Sequence, residues 1–96
     1  MKYVDWNPDK NEWLRQERDI GFDDIRVALH EGGLLDIIPN PNSKQYPGQK
    51  VFMVKVGAYV YAVPFVEDEE KIFLKTIIPS RKATKHYLFT DKKKPL

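Results

Sequence analysis

Between Ile77 and Tyr87 an apolar, strand-like run gives way to Ser80, Arg81, Lys82, Thr84, Lys85, His86 and Tyr87, a dense group of phosphate-seeking side chains. Cleaving a phosphodiester without a metal needs cations to stabilise the charge added at phosphorus. It also needs groups that move protons from an attacking 2′-hydroxyl and to the leaving oxygen. Arg81 suits the first task, because a guanidinium stays charged and grips two phosphate oxygens together. Lys75 and Lys85 add point charge. For proton transfer, His86 supplies the one side-chain type in this stretch whose unperturbed pKa lies near neutrality, and Tyr87 could serve if neighbouring cations favoured its ionisation. The plainer readings are a solvated His86 and a Tyr87 whose ring packs on a sheet while its hydroxyl reaches water.

The elements that must position these groups fit one small domain. A chain of 96 residues has room for about one hydrophobic core, which assigns residues 1–90 to a single domain and 91–96 to a basic flexible tail. Hydrophobic residues make up 42% and charged residues 31%, the composition of a soluble globular chain. There is no cysteine, and the two histidines, His30 and His86, are too few for a zinc cage, so neither metal nor cofactor is expected. No signal-like start or membrane-length apolar run is visible, which points to the cytoplasm and to no membrane partner.

Charge is uneven along the chain. Residues 1–48 hold six Lys/Arg against nine Asp/Glu, and residues 49–96 hold ten against five. From Lys71 onward there are eight basic residues and one acidic, a balance that attracts a polyanion. Lys92-Lys93-Lys94 is read as a solvated tail.

Tyr3–Trp6 reads as a short strand, and Asn7-Pro8 as a cap followed by proline at the first helical position. The helix that follows presents Trp13 and Leu14 on one face and stops at Asp19 in a left-handed conformation. A second helix, capped by Gly21, places Phe22, Ile25, Ala28 and Leu29 at helical spacing and ends at Gly32-Gly33. Strands follow at Leu34–Ile38, Lys50–Val56, Tyr59–Val66 and Lys71–Pro79, the last three as a meander joined by Gly57-Ala58 and by Glu67–Glu70. Ser80 then caps a short C-terminal helix. The fold class is α+β: an antiparallel sheet of about four to five strands, two N-terminal helices on one face and a short C-terminal helix.

Pairing Val56 with Tyr59 and Val66 with Lys71 assigns side chains to two faces. One face is core, with Phe52, Val54, Val56, Tyr61, Val63, Phe65, Ile72, Leu74 and Ile78. The other mixes Lys55, Lys71 and Lys75 with Val51, Met53, Val60, Ala62, Phe73 and Ile77. Pro64 cannot donate to a ladder, so a bulge or an early end of pairing is expected there. The catalytic candidates are Arg81, Lys75, His86 and Tyr87. The RNA-contact candidates are Lys55, Lys71, Lys82, Thr84 and Lys85. Asp23-Asp24 and Glu67–Glu70 are explained by a helix start and a turn, and Trp6 and Trp13 by core or interface anchoring.

Two motifs give the chain a family resemblance. Asp5-Trp6-Asn7 with Lys10-Asn11 and Asp19-Ile20-Gly21-Phe22-Asp23-Asp24, together with Ile77-Ile78-Pro79-Ser80-Arg81-Lys82-Ala83-Thr84, resemble the BrnT-type toxins of type II toxin-antitoxin systems. These are small ribonucleases related in fold to RelE-like toxins. Pro79 and Ser80 stand where the family has Ser and Ala, and Lys85-His86-Tyr87-Leu88 departs from its usual acidic and arginine-rich continuation. The resemblance spans about residues 3–88 and implies a metal-independent endoribonuclease that halts translation, with an RNA substrate and a cognate antitoxin as partners. It carries over Arg81 and Lys82 as functional residues. The rival readings are a non-catalytic RNA-binding module and a domain whose basic face docks an acidic partner.

Overall fold

In the computed structural model, which describes residues 2–89, β1 (Tyr3–Trp6) leads into α1 (Pro8–Arg18), α2 (Phe22–His30) and β2 (Leu34–Pro39). The strands β3 (Lys50–Val56), β4 (Tyr59–Glu67), β5 (Lys71–Leu74) and β6 (Ile78–Pro79) follow, then α3 (Arg81–Thr84) and a π-helical turn over Lys85–Phe89. The expected tail 91–96 lies outside the described residues. No helix among the described residues is long and apolar enough to cross a membrane.

Local chemistry accounts for both N-terminal helices. The Asn7 side chain accepts from the N–H groups of Asp9 and Lys10, Pro8 fills the first helical position, and Asp19 ends α1 at φ 57°. The Asp24 carboxylate accepts from Gly21 N–H at the start of α2, and Arg15 pairs with both Asp23 and Asp24. Leu14, Phe22 and Ile25 from the helices and Ile20 from the connection between them pack with Phe52, Val54, Val63, Phe65, Leu74 and Ile77. The Phe52 and Phe65 rings stack at 3.8 Å, and Trp6 lies over Phe22 at 5.7 Å. Trp13 is not part of this core: it is 42% exposed, with Lys10 and Arg18 over its ring.

The strand order is β1-β5-β4-β3-β2, with β6 pairing β4. The sheet is mixed rather than wholly antiparallel, because β1 runs parallel to β5, with Trp6 beside Leu74. The chain leaves β1 through both helices and returns as β2 on the opposite edge, so β1 is free to take a distant partner. The β3–β4 hairpin has the expected register, Val56 opposite Tyr59, with Gly57 supplying the positive φ of 63° that the two-residue turn requires. The next turn is tighter than expected. The Asp68 carboxylate accepts from the N–H groups of Glu70 and Lys71, so Glu67 pairs with Ile72 and Val66 with Phe73. That shift of two residues keeps each side chain on its expected face as far as Leu74.

Beyond Leu74 the faces exchange. Lys75 N–H donates to the Pro64 carbonyl at 2.8 Å, and Pro64 has no N–H to return, so the β5 ladder stops. From Phe65 to Ala62 β4 advances three residues, while its neighbour advances four from Leu74 to Ile78. The extra residue is a bulge that reverses the alternation. Ile77 is therefore fully buried in the core and Ile78 is 44% exposed on the other face, the reverse of the sequence expectation. The Arg18 guanidinium donates to the Ile77 carbonyl and ties the bulge to α1.

Candidate nucleic-acid interface

Past the bulge the chain stays attached to β4 by surrogates for strand pairing. Ser80 N–H donates to the Val60 carbonyl at 3.1 Å, and the Thr84 hydroxyl accepts from Val60 N–H at 2.8 Å. Ser80 Oγ accepts from Ala83 N–H at 3.0 Å and caps α3. The Thr84 hydroxyl in turn donates to the Ser80 carbonyl at 2.7 Å. Ala83 and Thr84 are buried against the sheet, whereas Arg81, Lys82, Lys85 and His86 are exposed.

These contacts correct the expected role of Thr84. With its hydroxyl spent on Val60 and Ser80 and only 5% of its surface exposed, it is an anchor rather than an RNA contact. In Ser80-Arg81-Lys82-Ala83-Thr84 the first and last two residues hold the helix to the sheet, and the two cations between them face outward.

The C-terminal segment also closes much of the sheet's second face. Val51, Met53, Val60 and Ala83 form a second buried cluster, with Ile38, Ala62, Tyr87 and Leu88 packed against it. Val51, Met53 and Val60 therefore do not lie open among cations. Lys55, exposed, pairs with Val60 across the hairpin and so stands beside the start of this segment.

Lys71 and Lys75 lie elsewhere. Both sit near the Phe73 ring, at 6.0 and 5.5 Å, and Lys71 also pairs with Asp5 at 3.7 Å. The backbone of Lys75 is bonded at Pro64 and that of Ser80 at Val60. Four residues of strand separate those points, about 13 Å. Lys75 instead borders a shallow depression shared with Asn7, Asp9 and Lys10 at the start of α1.

Tyr87 donates its hydroxyl to Asp36 Oδ2 on β2 at 3.0 Å. Burial and then this bond to a carboxylate raise its pKa above the ordinary phenol value, the opposite of the cation-assisted ionisation that a proton-accepting Tyr87 required. It acts as a strut between the π-helical turn and β2. The His86 and Tyr87 rings meet in a T-shaped contact, centroids 4.8 Å apart at 83°.

Lys82 and His86, with Ser80, border a groove of 570 Å³ between α3 and the β2–β3–β4 part of the sheet. Sequence reasoning missed this groove. The only signal was Ala62, a small residue opposite Met53, which leaves a hollow where a larger side chain would fill. A second depression, 390 Å³, lies at the Gly32-Gly33 end of α2 with Asp24 and Glu31 on its border. Among the described residues no three His, Asp or Glu side chains gather in a way that could hold a metal ion. Chemically, the α3 side offers cations for phosphate, one imidazole for a proton and an apolar recess.

No protein-family model, curated protein or solved structure matches the chain.

Proposed function

We propose that the chain is a metal-independent endoribonuclease of the toxin-antitoxin kind, with α3 as its RNA-binding element. The observation that carries this reading is that Lys82 and His86 border one groove, with Arg81 exposed on α3 and Lys85 exposed at the start of the π-helical turn that continues it. The resemblance of Ile77–Thr84 to the BrnT-type motif supports it independently. In the reaction, His86 accepts the proton of a 2′-hydroxyl as that oxygen attacks the adjacent phosphorus. Arg81 and Lys82 hold the non-bridging oxygens, whose charge grows, and the P–O5′ bond breaks. The leaving 5′-oxygen takes a proton from water or from Lys82, leaving a 2′,3′-cyclic phosphate and a 5′-hydroxyl. A cognate antitoxin would silence the protein by laying an acidic segment over the same cations.

Expression in a bacterial host with and without Arg81→Ala tests the reading. Growth arrest and RNA breakage with wild type, both relieved by the substitution, are expected. Unimpaired growth with intact RNA for both proteins would remove the reading.

A second reading, RNA binding without cleavage, is favoured by a specific arrangement. Two of the four expected catalytic groups are elsewhere or committed, Lys75 beside Phe73 and Tyr87 on Asp36, while the phosphate-binding cations remain exposed. It predicts salt-sensitive binding with the RNA left whole.

A further inference from the structure

The groove beside α3 has a chemistry that phosphate binding does not use. Met53, Ala62 and Ile78 line it from β3, β4 and β6, and its ionisable or hydroxyl-bearing side chains, Ser80, Lys82 and His86, all stand on the α3 side. The opposite side, from Ile38 to Pro41, offers one polar side chain, Asn40, whose carboxamide is already partly engaged: Nδ2 donates one N–H to Gln49 Oε1 and Oδ1 accepts from Asn42 N–H, both at 2.8 Å. A fitting occupant has an uncharged, largely apolar body and an anion at one end.

We infer that the groove is a nucleobase pocket, which seats one base of a bound RNA strand over Met53 and Ala62 while Lys82 and the Ser80 hydroxyl take the phosphate of the same nucleotide. The inference rests on the RNA-binding reading and adds a base-holding site to it. A volume of 570 Å³ is that of a small-ligand pocket, which ranges over roughly 300–1,000 Å³. A protein partner needs a far wider footprint, on the order of 800 Å² per side. Charge placed on one side only matches a nucleotide, whose base is neutral and whose phosphate is not. With Asn40 tied to Gln49 and Asn42 and its neighbours in the lining apolar, contact area rather than edge reading supplies most of the hold on the base. Purines, with more ring surface, therefore bind better than pyrimidines.

The test is calorimetric titration of the full chain with AMP, GMP, UMP, CMP, ribose 5-phosphate and inorganic phosphate. AMP and GMP are expected to bind on the order of tenfold tighter than ribose 5-phosphate, the gain expected from seating a base, with UMP and CMP between. Ala62→Leu, which fills the floor opposite Met53, removes that advantage and leaves phosphate affinity in place. Should Ala62→Leu fail to fold, Ile78→Ser, at a position already 44% exposed, lowers AMP affinity several-fold without that risk. AMP binding no tighter than ribose 5-phosphate, or unchanged in both variants, overturns the pocket. Binding of an acidic amphipathic peptide in place of every nucleotide assigns the groove to a protein partner and also overturns it. An RNA bound equally well with and without a base at each position refutes the pocket alone, whereas failure to bind any RNA refutes the RNA reading as well.

Discussion

The Thr84 hydroxyl accepts the N–H of Val60, 24 residues earlier in the chain, at 2.8 Å, and so fastens the cation-bearing helix α3 to the sheet. Replacing Thr84 by Val keeps the shape and strands a buried N–H. The expected cost is about 1–3 kcal/mol in urea unfolding, with Thr84→Ser close to wild type. A Thr84→Val protein that is as stable as wild type but weaker on RNA would return Thr84 to the role of an RNA contact.

The bulge opposite Pro64 is tested by a pair of neighbours. Ile77, fully buried, should lose about 2–5 kcal/mol on truncation to Ala. Ile78, 44% exposed, should lose about 1 kcal/mol or less. Reversed costs would mean that the alternation continues through Lys75 without the extra residue.

Tyr87 carries a pH signature. Burial and the Asp36 bond raise its pKa in the folded chain, so its contribution to stability is complete below the unfolded phenol pKa, about 10, and is lost as pH rises through the folded value. Tyr87→Phe should flatten the loss of stability above pH 10. An unchanged alkaline unfolding profile in Tyr87→Phe would contradict both the burial of the Tyr87 hydroxyl and its bond to Asp36. At the acid end the sign reverses. Asp23, lowered chiefly by its bond to Arg15, and Glu67, lowered chiefly by Lys2, stabilise the fold above their unfolded pKa values and lose that effect as pH falls through the folded ones. Asp23→Asn should accordingly blunt the acid transition below about pH 4.

Salt dependence separates the two groups of cations. Arg81→Ala and Lys82→Ala should each reduce the slope of log affinity against log salt by about 0.7, the value of one phosphate contact on a single strand. Lys71→Ala should leave it near wild type, because Lys71 sits with Asp5 and Phe73 rather than on α3. Equal losses at Lys71 and Arg81 would mean that the RNA track runs along β5 as well.

The parts of this fold that were legible in the sequence are those set by chemistry between near neighbours. Asn7, Pro8 and Asp19 mark both ends of α1, and Gly57 sets the β3–β4 register, because caps and tight turns act within a few residues. The parallel pairing of β1 with β5 left no such mark, since a four-residue strand carries little sign of which edge it joins. The exchange of Ile77 and Ile78 depends on what stands opposite Pro64, a relation across strands. At the site, the cations of α3 were legible from composition and spacing. Thr84 was misread because a hydroxyl within a basic run looks like a phosphate ligand until Val60 is seen to hold it. Lys75 was grouped with Arg81 through the sheet register, which set it on the non-core face of the strand leading into α3, and the bulge carries the chain onward from it.

The central claim is that His86, with Arg81 and Lys82 on the phosphate, cleaves RNA through its own 2′-hydroxyl. It is tested most directly by incubating the protein, in excess chelator, with one oligonucleotide in all-RNA form and with a 2′-deoxy residue at the cut position. Cleavage of the first to a 2′,3′-cyclic end, none of the second, and a rate about 10²–10⁴-fold lower for His86→Ala at unchanged RNA affinity is the result this account predicts. Cleavage of both oligonucleotides, or an undiminished rate in His86→Ala, contradicts it.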